Sequence, residues 1–274
     1  MGDQLKFTIL GCSSSPGVPR IGGGWGNCNP DNPKNRRTRC SFAVERISAR
    51  GKTVLVVDTG PDFRQQTLNA DIRKLDGVLY THAHADHIHG IDDLRGFALI
   101  QRERINIYSN QYTIGRLHDS FGYCFKSPNP KMYPPIITPN VIEPLESVTI
   151  EGEGGPITAL PIPQLHGPIK SLGYRFDCGK QRDVCYSSDI SGIEPENEKQ
   201  FENLGTWILD SLQYESHISH FSLSEALAWI EKMKPANAIL THMHIPLDYD
   251  KVREATPDHV EPAYDGLSFT VELE

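Results

Sequence analysis

The sequence predicts an α/β fold in which two β-sheets pack face to face with helices on their outer faces, a four-layer αββα sandwich. Strand-like runs come first, at Leu5–Leu10, Ser41–Ile47 and Thr53–Asp58. The C-terminal third instead alternates helical and strand-like patterns. Because the 274 residues contain no internal repeat, low-complexity tract or long linker, we expect one domain spanning residues 1–274.

Short β-rich runs supply the remaining strands of the two sheets. The run Gly77–Thr81 reads Gly-Val-Leu-Tyr-Thr, which is typical of a short buried strand. The Gly/Pro-rich segment 11–39 is too long for a plain connection, and loops of this length in compact domains are usually functional or disordered. The other predicted strands are Ile105–Tyr108, Val141–Leu145, Ser147–Ile150, Pro156–Pro161, Ser171–Asp177, Asp183–Ser187, Thr206–Asp210 and Ala236–Thr241.

Helix starts are marked by capping residues. Thr59-Gly-Pro-Asp62 predicts a helix with Thr59 as its N-cap, continuing to about Asn69. Ser222-Leu-Ser-Glu225 has the pattern of a capping box, and apolar residues at helical spacing follow it. The segment 120–140, rich in proline and aromatic residues, is predicted to be a loop. The other predicted helices are Ile91–Gln101, Gln111–Asp119 and Glu194–Asn203.

The charge and hydropathy of the chain exclude several classes of protein. The 27 basic and 35 acidic residues give a net charge of −8, which argues against a protein that wraps duplex nucleic acid but permits a small anionic substrate. Mean hydropathy is −0.41, and no apolar run approaches the roughly 20 residues of a membrane span. The N-terminus lacks the pattern of a secretory signal. We therefore expect a cytoplasmic protein without a membrane partner.

Histidine is concentrated in the segment Thr81-His82-Ala-His84-Ala-Asp86-His87, which directly follows a predicted strand. If His82 and His84 remain extended, both imidazoles lie on one side of the chain, and the small Ala83 leaves room for an ion. Asp86 and His87 need a tight turn to reach the same centre. Four potential ligands in so short a segment exceed what one tetrahedral ion takes from a single loop, so two neighbouring ions fit better.

Several predicted strands end in a residue that suits metal binding or acid–base chemistry. Because strand ends hold ligands on rigid supports, we expect one edge of the sheets to form a site. The residues concerned are Asp58, His82, Asp189, Asp210 and His242.

This pattern resembles the metallo-β-lactamase-fold hydrolases over nearly the whole chain. The resemblance rests on Thr81–His87 together with Asp58, His166, Asp189 and His242. Other segments are similar to the PhnP-type phosphodiesterases, which open phosphoribosyl 1,2-cyclic phosphate. They are Gly11…Pro16-Gly-Val-Pro19, Arg36-Arg37…Cys40-Ser41, Ser188-Asp189, Thr241-His242 and Tyr264-Asp-Gly266.

The resemblance implies two divalent metal ions as cofactors, Mn²⁺ or Zn²⁺, and the PhnP-type pattern favours Mn²⁺. Asp189 is expected to bridge the ions, and Asp58 to orient a histidine or a loop backbone. The implied ligands of the first ion are His82, His84 and His166, and those of the second are Asp86, His87 and His242. PhnP-type enzymes can hold a further structural zinc. Here the N-terminal loop has only Cys28, and His244 follows His242 by two residues instead of three. We therefore expect His244 to line the pocket.

The predicted function is hydrolysis of a small cyclic or nucleotide-like phosphodiester by attack of metal-bound hydroxide. Asp86 then has a catalytic role through the ion that it holds. His220 is the candidate proton donor to the leaving alkoxide, oriented by Asp210, and His217 is its nearby competitor. Lys34, Arg36, Arg37 and Arg39 form a basic segment that either holds a phosphate or is a solvated loop.

Other functions remain open at this point. A tRNA 3′-processing endonuclease has the same metal motif, but the net charge of −8 and the lack of a basic inserted arm disfavour it. Thioesterase or lactonase chemistry is a further possibility. A non-catalytic nucleotide- or metal-binding module is disfavoured because the ligand set is complete. The expected partner is a small phosphodiester or nucleotide, with duplex nucleic acid disfavoured and a homodimer left open.

Overall fold

Two β-sheets lie face to face in the computed structural model, which describes residues 2–127, 129–179 and 182–273. The first sheet consists of the strands of the N-terminal half of the chain together with the last strand of the chain. In spatial order this sheet contains β14 (Ser268–Glu272), β1 (Gln4–Gly11), β2 (Ser41–Ser48), β3 (Gly51–Val57), β4 (Gly77–Leu79), β5 (Ile105–Ser109) and β6 (Ile137–Val141).

The second sheet is formed by the C-terminal half. Its order is β13 (Val260–Pro262), β12 (Asn237–Thr241), β11 (Thr206–Asp210), β10 (Val184–Ser187), β9 (Ile169–Phe176), β8 (Ile157–His166) and β7 (Val148–Ile150). Strands β10 to β13 pair in parallel, as do β3 to β6 of the first sheet. Both sheets therefore have an edge at which the carboxyl ends of several parallel strands meet.

Helices flank the two sheets. They are α1 (Phe63–Asn69), α2 (Ala85–Ile88), α3 (Leu94–Gln101), α4 (Gln111–Phe125), α5 (Leu223–Met233) and α6 (Tyr249–Ala255), with 3₁₀ turns at Pro33–Asn35, Ile91–Asp93 and Pro195–Phe201. The predicted four-layer α/β sandwich is confirmed. Within the described part of the chain, no helix combines the length and the apolar character that crossing a bilayer requires.

The main core fills the space between the sheets. The rings of Phe42 in β2 and Tyr186 in β10 stack across this space, with centroids 4.8 Å apart and planes 3° from parallel. Phe7 and Phe176 pack beside them at 6.0 Å. An aromatic pair of this kind contributes about 0.5–1.5 kcal/mol beyond the apolar area that it buries, so these rings fix how the sheets face each other.

A second apolar cluster lies under helices α1, α3 and α4 on the first sheet. Phe63, Leu94 and Leu117 supply the helical side, and Val56 and Val78 supply the sheet side. Alternate residues of β3 thus enter different clusters, since Val57 belongs to the core between the sheets. Strand β3 is therefore buried on both faces, which explains why Thr53–Val57 reads as a run without alternation.

The start of α1 differs from the prediction. The helix begins at Phe63 after Asp62, and Thr59 is not its cap. The Thr59 hydroxyl instead bonds the Tyr80 hydroxyl at 2.7 Å in the interior. By contrast, the capping box at Ser222 is confirmed: its hydroxyl accepts from the backbone N–H of Glu225, and the Glu225 carboxylate accepts from the Ser222 N–H.

The segment 120–140 is not one loop, because α4 continues to Phe125 and β6 begins at Ile137. The strand predicted at Val141–Leu145 is wrong, since β6 ends at Val141 and the chain then turns toward the second sheet. There the backbone N–H of Leu145 donates to the carbonyl of Pro161. Strands β13 and β14 and helices α2 and α6 were not predicted.

Candidate metal centre

Five strands end beside one another at the rim between the two sheets. Asp58 follows β3, and His82 lies three residues beyond the end of β4. In the second sheet Asp189 follows β10, Asp210 ends β11 and His242 follows β12. Because these strands run parallel within each sheet, their carboxyl ends bring the five side chains to the same edge.

Three of these residues have a left-handed backbone conformation, with φ of 63° at Asp58, 55° at Asp189 and 59° at His242. This conformation costs a non-glycine residue about 1–3 kcal/mol and persists only where surrounding contacts hold it. The Asp189 carbonyl accepts from the Ser171 hydroxyl at 2.7 Å. Such bends at strand ends are common at functional sites.

The first group of potential ligands contains three histidines and one carboxylate. His82, His84, His166 and Asp189 each offer a ligand atom, and these atoms lie within 4.8 Å of one another. Nε2 of His166 is 3.2 Å from Nδ1 of His84 and 3.7 Å from Oδ1 of Asp189. The extended stretch before α2 brings His82 and His84 together, and the end of β8 brings His166 to them.

The second group contains Asp86, His87 and His242, again with ligand atoms within 4.8 Å. Asp86 and His87 lie on the single turn of α2, which begins after His84. Asp189 contacts this group as well, because its Oδ2 is 3.0 Å from Nε2 of His87 and its Oδ1 is 3.4 Å from Nε2 of His242. One carboxylate therefore lies between both groups.

Hydrogen bonds on the outer ring nitrogens turn the inner nitrogens toward this carboxylate. Nδ1 of His87 is 2.7 Å from Oδ2 of Asp58, and Nδ1 of His166 donates to the carbonyl of Ser219 at 2.7 Å. Nδ1 of His82 is 2.9 Å from the hydroxyl of Thr81. Metal-binding histidines commonly have such an outer partner, which fixes ring orientation and tautomer.

Several buried polar atoms at the centre of the cluster have no hydrogen-bond partner among the described residues. An unpaired buried polar group costs about 1–3 kcal/mol, and a bound cation would satisfy such atoms. Imidazole and carboxylate donors suit divalent transition metals. The atoms are Nε2 of His82, Nε2 of His87, Oδ2 of Asp189 and both ring nitrogens of His242.

Burial and charge set the protonation of these groups. Burial holds the pKa of His82 well below its usual value and also lowers the pKa of His166. Both imidazoles are therefore neutral near pH 7, the form that binds cations. Burial disfavours ionisation of Asp189, but His87 and His242 outweigh it and hold the pKa of the carboxyl well below the ordinary value. Neighbouring carboxylates outweigh burial and raise the pKa of His87 well above its usual value, so the charged Asp189 lies between this protonated ring and the neutral His82 and His166.

His220 lies at the edge of the cluster, paired with Asp210. Its Nδ1 is 2.7 Å from Oδ2 of Asp210, and its ring stacks on that of His242 with centroids 4.5 Å apart. Burial lowers the pKa of His220, but the charge and hydrogen bond of Asp210 outweigh burial and raise it to about 9. The imidazole is therefore protonated near pH 7. His217 is exposed; its Nδ1 accepts from the backbone N–H of Ser219, and its ring centroid is 5.3 Å from that of His220.

The basic segment predicted at Lys34, Arg36, Arg37 and Arg39 does not form one surface. Arg37 is 1% exposed, and its guanidinium donates to the carbonyl of Leu247 at 2.8 Å. Arg39 pairs with Asp62 at 2.8 Å, and Lys34 lies over the ring of Tyr249. The segment is therefore neither a single phosphate-binding patch nor a solvated loop, because its residues have separate partners.

Sequence reasoning missed a polar group beside the cluster. Nδ1 of His244 is 2.7 Å from the hydroxyl of Ser14, and Arg20 contacts the other ring nitrogen of His244. His244 is two residues from His242, and its partners come from the N-terminal loop. The signal available in the sequence was only the position of His244 after His242.

Known proteins that are similar to this chain identify its family. Residues 53–243 match the model of the beta-lactamase superfamily domain. The crystal structure of a diphosphatase from the PhnP family superposes with a TM-score of 0.86 at 30% identity and covers 98% of each chain. The structure of human tRNase Z, short form, superposes with a TM-score of 0.63 at 16% identity, covering 98% of this chain and all of that one.

A curated protein from Porphyromonas gingivalis (strain ATCC BAA-308 / W83), named octanoyltransferase, is 29% identical over 271 residues. The alignment covers 98% of this chain but only 52% of that protein, so the chain spans about half the length of this relative. The family model covers well over half of the chain, and the PhnP-family structure aligns from end to end. The chain therefore belongs to the beta-lactamase superfamily and, within it, to the PhnP family.

Proposed function

We propose that this protein is a metal-dependent phosphodiesterase with two divalent ions, acting on a small phosphodiester. His82, His84 and His166 would hold one ion, and Asp86, His87 and His242 the other. Asp189 would bridge them. Manganese and zinc both suit imidazole and carboxylate ligands, and the PhnP-type motifs favour manganese.

One observation carries the proposal. The carboxylate of Asp189 lies between two groups of imidazoles, and the inward Nε2 atoms of His82, His87 and His242 are buried and unpaired within the described residues. A carboxylate with two oxygens can serve two neighbouring ions at once, whereas a structural hydrogen-bond network would satisfy these atoms with protein partners. The arrangement is therefore better explained by two cations than by a polar core.

Divalent ions in such a site lower the pKa of bound water and neutralise the oxygens of a phosphoryl group. The protein would add a proton donor. The carboxylate of Asp210 holds Nδ1 of His220, which leaves Nε2–H of the protonated ring free to reach a leaving-group oxygen beside His242. His220 would donate this proton as the bond from phosphorus to the leaving oxygen breaks.

The fold also limits what surrounds the substrate. Asp58 is fully buried behind His87, and its position leaves it able to orient that ring but not to contact a substrate.

The similar structure from the PhnP family is described as a diphosphatase. In a phosphodiester the phosphorus bears two ester oxygens, and in a diphosphate it bears the oxygen that bridges to the second phosphorus. Hydrolysis breaks a bond from phosphorus to oxygen in both, so either class is consistent with this chemistry.

The test combines metal analysis with a substrate panel. Purified protein, Asp189→Asn and the surface control Glu196→Gln are analysed for bound metal and assayed on cyclic, nucleotide and model phosphodiesters with added Mn²⁺ or Zn²⁺. We expect the wild type and Glu196→Gln to bind two ions per chain and hydrolyse at least one small diester. Asp189→Asn should lose both properties.

Some outcomes would overturn the proposal. Full turnover by metal-depleted wild type would remove the role of the ions. Cleavage of precursor tRNA at catalytic protein concentrations, without activity on small diesters, would favour a tRNA-processing enzyme instead. Hydrolysis of acyl thioesters or lactones alone would indicate a different reaction of the same site.

A further inference from the structure

Strand β14 has one edge without a partner strand. It lies at the end of the first sheet and, among the described strands, pairs only with β1. The N–H of Leu273 donates to the carbonyl of Asp3. Because the backbone groups of successive residues in a strand point to opposite sides, Phe269 and Val271 also bond to β1. The backbone groups that point away from β1 are those of Ser268, Thr270 and Glu272.

The other sheet edges that the structure describes are protected against a further strand. Strand β6 contains Pro139, and β7 has only three residues. Strand β13 is equally short and contains Pro262. Short strands and proline are common ways in which proteins block pairing at an edge. Strand β14 has five residues and no proline, so its edge is the one suited to accept a strand.

A groove of about 720 Å³ runs beside this open edge. Strand β14 forms one wall, and the second sheet forms the other through the first residues of β11 and β12 and through β13. Phe269 and Val271 line the groove, are half-buried and pack against the main core. The side chains of an added strand would alternate between the two faces of the sheet, so every second side chain would enter this groove.

The groove is remote from the candidate metal centre. Thr206 and Asn237 line it at the amino ends of β11 and β12. Asp210 ends β11, and His242 follows β12, at the opposite ends of the same strands. Since a strand rises about 3.3 Å per residue, Thr206 is about 13 Å from Asp210. A molecule in the groove is therefore not a substrate of the metal centre.

The charges around the groove favour a basic occupant. Three carboxylates and two guanidiniums line it, which gives a formal charge of −1. Arg182 and Arg253 each donate to backbone carbonyls. Within the described part of the chain, no hydrogen bond or ion pair involves the carboxylates of Asp258, Glu261 and Glu272. A second copy would bring the same carboxylates and a net charge of −8, so it is a poorer match than a basic segment.

We propose that the groove beside β14 binds an extended, basic segment of another protein, which adds to the first sheet as its eighth strand. Apolar side chains at every second position would enter the groove beside Phe269 and Val271. Lysine or arginine side chains between them would lie beside Glu272. In this mode of recognition, backbone hydrogen bonds give affinity, and alternate side chains give specificity.

The test uses three fluorescein-labelled peptides and metal-replete protein. The first alternates charge and apolar character, as Lys-Val-Lys-Phe-Lys-Val-Lys. The second has glutamate in place of lysine, and the third groups the residues of the first as Lys-Lys-Lys-Lys-Val-Phe-Val. Fluorescence anisotropy should show that the alternating basic peptide binds about 10-fold more tightly than either of the others. Amide hydrogen exchange, followed by NMR, should then slow at Ser268, Thr270 and Glu272.

Thr270→Pro is the main variant, because proline removes an N–H that β1 does not use. It should keep the circular dichroism spectrum of the wild type and bind the alternating basic peptide about 10-fold or more weakly. The matched control Thr270→Val keeps the N–H and should bind like the wild type. Glu272→Gln should weaken binding by about 2- to 5-fold, which tests the charge separately if Thr270→Pro does not fold.

Four results would overturn the proposal. They are no binding of the alternating basic peptide, wild-type affinity in folded Thr270→Pro, equal binding of the grouped peptide, and slowed exchange only at amides outside β14. A dimer that sedimentation detects in the wild type but not in Thr270→Pro would also overturn it, because a second copy would then occupy the edge.

Discussion

The imidazole Nδ1 of His87 lies 2.7 Å from Oδ2 of Asp58, and both side chains are fully buried. Asp58 also accepts from the backbone N–H and the hydroxyl of Thr81, each at 2.8 Å. One carboxylate thus fixes the ring of His87 and the start of the histidine-rich loop together. The left-handed backbone of Asp58 turns the carboxylate into this position.

We expect Asp58→Asn to weaken metal binding by about 10- to 100-fold, the usual effect of removing the outer partner of a metal-binding histidine. Asparagine replaces one accepting oxygen with an NH₂ group, so a donor would face either the N–H of Thr81 or Nδ1 of His87. Competition with a chelator measures the affinity. Asp258→Asn, at an exposed position, should bind metal like the wild type. Unchanged affinity in Asp58→Asn would remove this role of Asp58.

The role of His220 predicts a dependence on the leaving group. We expect His220→Gln to lower kcat by about 10²–10⁴-fold on an alkyl diester. The loss should be much smaller on a nitrophenyl diester, because nitrophenolate departs without a proton. His220 offers a ring nitrogen within 4.8 Å of ligand atoms of Asp189 and His242, but it is not one of the proposed ligands of either ion. Metal content should therefore stay at the wild-type level. An equal loss on both substrates would assign His220 a structural role instead.

Glycine at position 60 predicts a link between packing and metal binding. A Cβ at Gly60 would lie 2.2 Å from the backbone oxygen of Asp86, which cannot move aside without shifting the turn that holds Asp86 and His87. Gly60→Ala should therefore destabilise the fold by roughly 1–3 kcal/mol and weaken the second ion selectively. Urea unfolding and metal stoichiometry measure the two effects.

A matched control is Gly96→Ala in α3, where a Cβ meets nothing within 4 Å. Alanine is favoured over glycine in a helix by roughly 0.5–1 kcal/mol, so this variant should be slightly more stable and bind metal normally. If Gly60→Ala behaved like Gly96→Ala, close packing at Gly60 would not matter for the site.

The parts of the site that were predicted from the sequence are local in the chain. His82, His84 and His87 lie within one short segment after a strand, and Asp189 and His242 follow predicted strands. The periodicity of strands and the ends of apolar runs therefore indicated the edge where they meet. Helix α5 was equally accessible, because its capping box depends only on residues three positions apart.

The contacts that hold the site in place join residues far apart in sequence, and no local pattern indicates them. The hydroxyl of Thr59 bonds Tyr80 and not the helix that follows it. Arg20 reaches His244 across 224 positions. Such pairs are set by the packing of the two sheets. The sequence around Thr59 therefore predicted only a helix cap, and the glycine-rich sequence around Arg20 predicted only a loop.

Asp265 predicts how stability depends on pH. Its Oδ2 accepts from the backbone N–H and the hydroxyl of Thr38, at 2.8 and 2.6 Å. Burial nevertheless raises the pKa of this carboxyl from 3.8 to about 6. The folded state therefore binds the proton more tightly than the unfolded state. The stabilisation from this group is complete below pH 3.8 and is lost as the pH rises through about 6.

Between pH 5 and pH 8 this carboxyl should lower the free energy of unfolding by about 1 kcal/mol. Asp265→Asn keeps an accepting oxygen for Thr38 but has no charge, so the variant should lose this part of the pH dependence. Urea unfolding of metal-free wild type and Asp265→Asn at both pH values measures it. Other titrating groups are shared by the two proteins and cancel in the difference between them. A difference that stays constant from pH 5 to pH 8 would mean that Asp265 is ionised throughout this range.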